Sequence, residues 1–325
     1  MSINGRLEQE LKAEKKMQLR LKQLPSIFGD FYYFIGNKSY LTRSNYVDHI
    51  VDFMNYVNDN KASDDFYKNV TPITINKYIA SLRTYQTKAG LQRTSDSALA
   101  ARWSSLNAFY NFLYVNELIK ENIVAKTERP KIKDEHKKPA LSKAEVKKMS
   151  LKIETNPYHK HITRDKLIFS LGISTGLRVS AISQLNIEDI DLEHNRLQVI
   201  EKGDKYRIID FGDNLKELFV TYLKERKEYY DDVSTTALFI SQKKQRMTNN
   251  TIRRLLIKYA SGVTDKHVSA HTMRRTSASL LYNKTGDIYL VGSHLGHADI
   301  STTKKYISVD EEKQKNKVSF MDSVL

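Results

Sequence analysis

The chain has 325 residues, 40% of them hydrophobic, enough for two domains of ordinary size, each with its own core. Lys and Arg number 53 against 38 Asp and Glu; the net charge of +15 favours a polyanionic partner, most simply nucleic acid, with an anionic membrane surface as the weaker option. Cysteine is absent, which excludes disulfides, thiolate catalysis and Cys-ligated zinc.

In chain order, residues 5–24 read as a charged helix with Leu7, Leu11, Met17, Leu21 and Leu24 roughly on one face. This segment lacks the apolar core of a signal peptide, and the longest apolar runs, such as residues 167–171, fall far short of a membrane span. A cytoplasmic location, away from the membrane, is therefore expected. Pro25 ends this helix or opens the next element, and residues 27–36 are short and aromatic. Thr42 or Ser44 caps a helix whose apolar set Tyr46, Val47, Ile50, Phe53, Met54 and Val57 repeats at helical spacing. Another helix follows Thr71-Pro72, with Ile75, Tyr78, Ile79 and Leu82 inward. A fourth runs from Ser95 to Val115 with Leu99, Trp103, Leu106, Phe109, Tyr110 and Leu113 as its stripe. Aromatics on periodic faces read as core, not as base-stacking platforms, so residues 25–125 are expected to form an all-helical domain.

Residues 127–139 hold two prolines and no hydrophobic periodicity, which marks a linker over 126–140. Over residues 126–150 nine Lys or Arg face four acids; this charge run is either a solvated linker or a strap along a phosphate backbone. Beyond it, Ser142 caps a helix with Glu145 at the capping-box position. A buried helix at 164–175 leads into Thr175-Gly176-Leu177-Arg178. Residues 195–211 change character: two β-rich runs flank Lys202-Gly203-Asp204-Lys205, the pattern of a hairpin turn. Helices resume at 213–230, 248–260, 271–285, 287–295 and around Tyr306. The predicted fold class is mainly α with a small antiparallel β-sheet: a helical domain (25–125) after a charged helix (1–24), the basic linker, a mixed α/β domain (141–308) and a tail (309–325).

Six residues of the second half carry the chemistry: Arg178, Lys202, His271, Arg274, His297 and Tyr306. Singly, each has an ordinary explanation as a cap, a turn lysine, a loop histidine or one of 19 tyrosines. Jointly, cations gathered around one nucleophilic oxygen suit phosphoryl transfer without a metal. The stretches Thr175-Gly-Leu-Arg178, Val199-Ile-Glu-Lys202-Gly-Asp-Lys205, His271-Thr-Met-Arg274 and Leu295-Gly-His297 followed by Tyr306 resemble the tyrosine recombinase (phage integrase) family, whose signature is Arg, a hairpin Lys, His-x-x-Arg, His or Trp, and a nucleophilic Tyr. The intervals are similar too: 24 residues from Arg178 to Lys202, 23 from Arg274 to His297 and nine from His297 to Tyr306. Three positions depart from the family's pattern: Ala181 stands where Glu is common, Arg275 where His is frequent, and Asp210-Phe211 where Pro-Leu usually ends the hairpin.

The resemblance implies a helical core-DNA-binding domain of SAM-like type and a mixed α/β catalytic domain. Its chemistry would be strand cleavage and rejoining through a 3′-phosphotyrosine, with no metal, ATP or other cofactor. Tyr306 would attack phosphorus, and Arg178 and Arg274 would hold the phosphate. Lys202 would protonate the leaving 5′ oxygen, with Lys205 the weaker alternative. His271 would accept a proton or bind the phosphate, and His297 would help position Tyr306. Arg93, Arg102 and Ser104 in the first domain, Lys131, Lys133, Lys137 and Lys138 in the linker, and Lys205, Arg253, Arg254 and Arg275 in the second are candidate contacts to double-stranded DNA. The implied assembly is a homo-tetramer on two duplexes, with the 309–325 tail docking on a neighbouring protomer. An accessory directionality protein is a further partner the resemblance allows. The leading expectation is a recombinase or integrase of a mobile element; the alternatives are an Xer-type chromosome-dimer resolving enzyme, a type IB topoisomerase and an inactive DNA-binding regulator. Some 24 residues ahead of the helical domain are too few for a folded arm-binding module.

Overall fold

The structure, a computed structural model, describes residues 5–59, 61, 63, 65–87, 90–132, 140–156, 161–201, 205–230, 235–296, 302, 303 and 306. Two compact units emerge, Leu7–Glu135 and a larger one built mainly from His136–Leu325.

The first unit contains α1 (Gly5–Leu21), α2 (Ser26–Phe34), α3 (Tyr40–Val57), α4 (Pro72–Ser81) and α5 (Asp96–Val115). Its core is aromatic: Phe31 meets Phe109 edge-on at 5.2 Å, and Phe66 stacks on Phe109 at 5.5 Å. Met17 of α1 is buried in the same core, so the charged N-terminal helix is held to this unit by its apolar stripe. The caps follow local chemistry. Thr71 and Thr74 form a capping box with Pro72 at the first helical position, and Ser95 caps α5. For α3 the cap is Ser39, not Thr42 or Ser44; the Ser39 hydroxyl accepts from the Thr42 amide, so the helix begins one turn earlier than its apolar repeat.

The all-helical expectation for this unit acquires one addition. Strands β1 (Thr84–Thr87) and β2 (Gly90–Arg93) form an antiparallel hairpin between α4 and α5, with Thr84 opposite Arg93. Both faces of this hairpin are largely exposed, so its sequence carries no apolar alternation to announce it. At the other end, Thr127 is buried and accepts a hydrogen bond from the Trp103 indole at 2.8 Å. The first linker residues thus pack on the helical unit.

The second unit contains α6 (Lys143–Glu154), α7 (Ile162–Thr175), α8 (Val179–Gln184), β3 (Ile190–Asp191), β4 (Arg196–Glu201), β5 (Lys205–Asp210), α9 (Asp213–Tyr229), α10 (Asn249–Ala260), α11 (Ala270–Thr285) and α12 (Ile288–Leu295). The three strands form one antiparallel sheet in the order β3-β4-β5, with Val199 opposite Arg207 and Glu201 opposite Lys205. The Ser142–Glu145 capping box starts α6. Leu167, Ile168, Phe169 and Leu171 bury α7 in the core, and Gly172 lets α11 approach so closely that a Cβ there would lie 2.5 Å from the Met273 sulfur. No described helix is long and apolar enough to cross a membrane. The 309–325 tail lies outside the described residues.

In the first unit, His49 Nδ1 pairs with the Ser105 hydroxyl at 2.8 Å, joining α3 to α5. Burial, with Arg102 adding repulsion, pushes His49 down to about 4 from an ordinary 6.5. The folded pKa lies below the unfolded one, so at acid pH the unfolded chain takes up a proton that the folded chain refuses. This contribution to stability is complete above pH 6.5 and is lost as pH falls towards 4. Thermal unfolding followed across that window is expected to give a falling midpoint. His49→Asn, which keeps a partner for Ser105, is expected to remove part of the fall; an unchanged slope in the variant would count against this origin.

Candidate active site

The site is built where α7 ends. Gly176 takes the left-handed conformation (φ +62°) that terminates α7, and a Cβ there would lie 2.6 Å from Leu295 Cδ2. Arg178 follows as the N-cap residue of α8 and is half-buried. Ala181, one turn into α8, is buried in the main core, where a carboxylate would need a partner to remain charged.

Ser269 and Thr272 form the capping box that starts α11, so His271 lies inside its first turn, exposed. One turn along, Arg274 is fully buried. Its Nη1 donates to the Gly176 carbonyl at 2.7 Å, and its Nη2 donates to the Leu295 carbonyl at 2.6 Å. The same guanidinium therefore ties the end of α7 to the end of α12. Charge-assisted bonds to main-chain carbonyls are the means by which a buried cation is compensated without a carboxylate.

The C-terminus of α12 is further secured by Gly296, which caps it in the left-handed conformation. From α11, Ser277 pairs with His294 Nε2 at 2.9 Å. Burial, with Arg207 and Arg274 adding to it, holds His294 below the ordinary imidazole range. Tyr306 packs against the small cluster of Ala278, Val291 and Leu295, and its carbonyl accepts from the Ser279 hydroxyl at 3.3 Å. The centroid of its ring lies 5.6 Å from Arg274 Cζ, 5.9 Å from Arg275 Cζ and 6.4 Å from the centre of the His271 imidazole. Of the six motif residues, the structure thus gathers His271, Arg274 and Tyr306 and ties the turn before Arg178 to them. Lys202 and His297 lie outside the described residues.

The candidate DNA contacts divide. Arg253 and Arg254 are exposed on α10. Arg275 is half-buried, and its Nε and Nη1 are buried with no hydrogen-bond partner among the described residues. Arg93 and Lys131 line one cleft of about 510 Å³ in the first unit, together with Arg83 and Arg129, which the motif reading did not single out. Arg102 pairs with Asp52 and donates to the Tyr78 hydroxyl at 3.4 Å, bracing α5 against α3 and α4 while part of its side chain remains exposed. Ser104 donates to the Ala100 carbonyl of its own helix at 2.8 Å. Lys133, Lys137 and Lys138 lie outside the described residues, and so does the side chain of Lys205.

The sequence pattern of the phage integrase family matches residues 139–313. The tyrosine recombinase XerC of Thermodesulfovibrio yellowstonii is 34% identical over 267 residues, covering 78% of this chain and 84% of that protein. Among solved structures, the XerH site-specific recombinase in its post-cleavage complex with a palindromic difH substrate superposes with a TM-score of 0.68 at 21% identity, over 88% of this chain and 81% of that one. A lambda integrase tetramer bound to a Holliday junction superposes with a TM-score of 0.63 at 18% identity, over 87% of this chain and 76% of that one. The chain belongs to the phage integrase family. It is a site-specific tyrosine recombinase, an enzyme that breaks and rejoins DNA strands.

Gly176→Ala tests how the site is held. A left-handed alanine costs about 1–2 kcal/mol, and the clash with Leu295 adds about 1–3 kcal/mol of overpacking. The variant is expected to melt lower and to cleave more slowly, because the carbonyl that anchors Arg274 shifts with the backbone. Wild-type melting together with wild-type cleavage would contradict this.

Proposed function

We propose that this chain carries out site-specific recombination through a covalent 3′-phosphotyrosine formed by Tyr306. The observation that carries the reading is the Tyr306 ring lying over the buried guanidinium of Arg274, with His271 beside it. In this reading the Tyr306 oxygen bonds to phosphorus as the bond to the 5′ oxygen breaks. His271 takes the phenolic proton, and Lys202 gives a proton to the departing 5′ oxygen. Arg178 and Arg274 stabilise the added negative charge of the pentacoordinate transition state. Arg274 is fully buried with the Tyr306 ring 5.6 Å from its Cζ, so in this reading the site opens as the phosphate binds. His297 assists in positioning Tyr306. The released 5′ hydroxyl of another strand reverses the step, so the energy of the phosphodiester is kept in the covalent link.

Double-stranded DNA is the partner in this reading, with the cleft of Arg83, Arg93, Arg129 and Lys131 and the exposed pair Arg253 and Arg254 along its backbone. Lys133, Lys137 and Lys138, which follow Lys131 in the chain, are further contacts in this reading, and Arg275 adds positive charge beside the reacting phosphate. The working assembly is a homo-tetramer on two duplexes, with the 309–325 tail joining protomers; the lambda integrase fold neighbour is a tetramer bound to a Holliday junction. The setting is the cytoplasm, and the role is integration or excision of a mobile element. Likeness to a XerC protein over most of its length favours a second role, resolution of chromosome dimers.

Nicked duplexes drawn from the DNA flanking the gene provide the test, since the nick lets the cut end diffuse away and traps the adduct. The wild-type chain is expected to accumulate a covalent protein–DNA adduct on the cognate site. Tyr306→Phe is expected to form none while binding the duplex as tightly. Adduct formed by the Phe variant would assign the nucleophile elsewhere.

A further inference from the structure

Arg207 stands outside the six motif positions, yet its side chain leaves β5 for the C-terminal end of α12. There Nη2 donates to the carbonyl of His294 at 2.6 Å and to that of Ser293 at 3.2 Å. Arg274 bonds the next carbonyl in line, that of Leu295. Consecutive carbonyls at the negative end of a helix thus receive two guanidinium groups from two different elements. The two elements differ in what they carry. The residue that follows Gly296 in the chain is His297, and residues 202–204, with Lys202 among them, join the last strand pair, Glu201 and Lys205.

The two sides of this contact are not equally secured. Val291 and Leu295 bury α12 against Ala278, and Ser277 and Arg274 hold its end from α11. On β5, Tyr206 and Ile208 are exposed, and the buried Ile209 lies further from the turn. Arg207 is therefore the tie nearest the turn that reaches another element among the described side chains of β5. Val199, opposite Arg207 on β4, keeps the base of the hairpin in the core, so loss of Arg207 would release the turn end beyond this pair more than the helix.

We propose that Arg207 is a positioning residue for strand cleavage: by tying β5 to the last carbonyls of α12 it fixes the hairpin bearing Lys202 against the segment bearing His297 and Tyr306. The proposal rests on the reading of Lys202 as the acid that protonates the leaving 5′ oxygen. Arg207 touches neither substrate nor reacting atom in this account. It sets the distance over which the proton travels, and a proton donor a fraction of an ångström out of place transfers poorly.

Single-turnover cleavage by Arg207→Ala and Arg207→Lys, on two substrates, tests it. One is the ordinary nicked site; in the other, sulfur replaces the leaving 5′ oxygen. A thiol, with a pKa of about 8.5, departs as the thiolate and needs no acid. Arg207→Ala is expected to slow the ordinary reaction by about 30-fold, part of the ~10²–10⁴-fold that a general acid supplies. On the sulfur substrate it is expected to match wild type, with duplex binding unchanged on both. Arg207→Lys, which can still donate to a carbonyl, is expected to show a smaller deficit with the same rescue, and it carries the comparison if the alanine variant does not fold. Equal slowing on both substrates, or none on either, would overturn the proposal. Lys202→Ala serves as the reference: if sulfur does not rescue it, the acid is misassigned and the proposal falls with it. A wild-type chain that cleaves neither substrate would instead refute the phosphotyrosine reading itself.

Discussion

A single buried guanidinium holds the catalytic unit's site in one piece. Arg274 has no exposed surface, and it donates to the carbonyls of Gly176 and Leu295, residues far apart in the chain. Burying a cation is costly, and the bonds from Nη1 and Nη2 to two main-chain carbonyls offset that cost, so this arrangement depends on α7, α11 and α12 all being in place. Each of these helices delivers functional residues just beyond the bond. Arg178 follows the left-handed turn at Gly176, His271 shares the first turns of α11, and the chain leaving α12 runs through His297 to Tyr306. The placement of the described candidate site residues is thus inherited from helix ends, where the backbone is fixed by caps and glycines and not by long side chains.

Much of this was legible before the structure, for reasons that differ by residue. The caps at Thr71, Ser95 and Ser142 are local hydrogen-bond chemistry, and they started helices where short polar side chains precede apolar repeats. The hairpin of β4 and β5 showed in two β-rich runs flanking Lys202-Gly203-Asp204-Lys205. The polar hairpin of β1 and β2 did not show, because neither face is buried and pattern reading detects burial. Arg207 belongs to no motif, but an arginine at a position alternating with exposed Tyr206 and Ile208 faces inward and must find acceptors. Ser277 and His294 left no sequence signal, since their pairing depends on how α11 and α12 pack. The pairing of Arg102 with Asp52 was silent for the same reason, since it depends on how α5 packs on α3.

The departures from the family's common residues find physical settings. Ala181 fills a core position where it needs no partner. Asp210 pairs with Arg196 across the hairpin at 3.0 Å, and Phe211 packs its ring against Phe219 at 5.1 Å, so the strand end is secured without the proline. Arg275 adds a second guanidinium near the Tyr306 ring, which would raise the positive field there if Tyr306 is the proposed nucleophile.

The central claim is that Arg274 both assembles the site and serves the phosphate, and Arg274→Lys examines both at once. Lysine keeps the charge but cannot span two carbonyls in fixed, planar geometry. Leaving a buried carbonyl unsatisfied costs about 1–3 kcal/mol. The account predicts that the variant melts lower by several degrees, still binds duplex DNA, and cleaves more slowly by about 10² or more in a single turnover. A lysine variant that melts and cleaves like the wild type would contradict it.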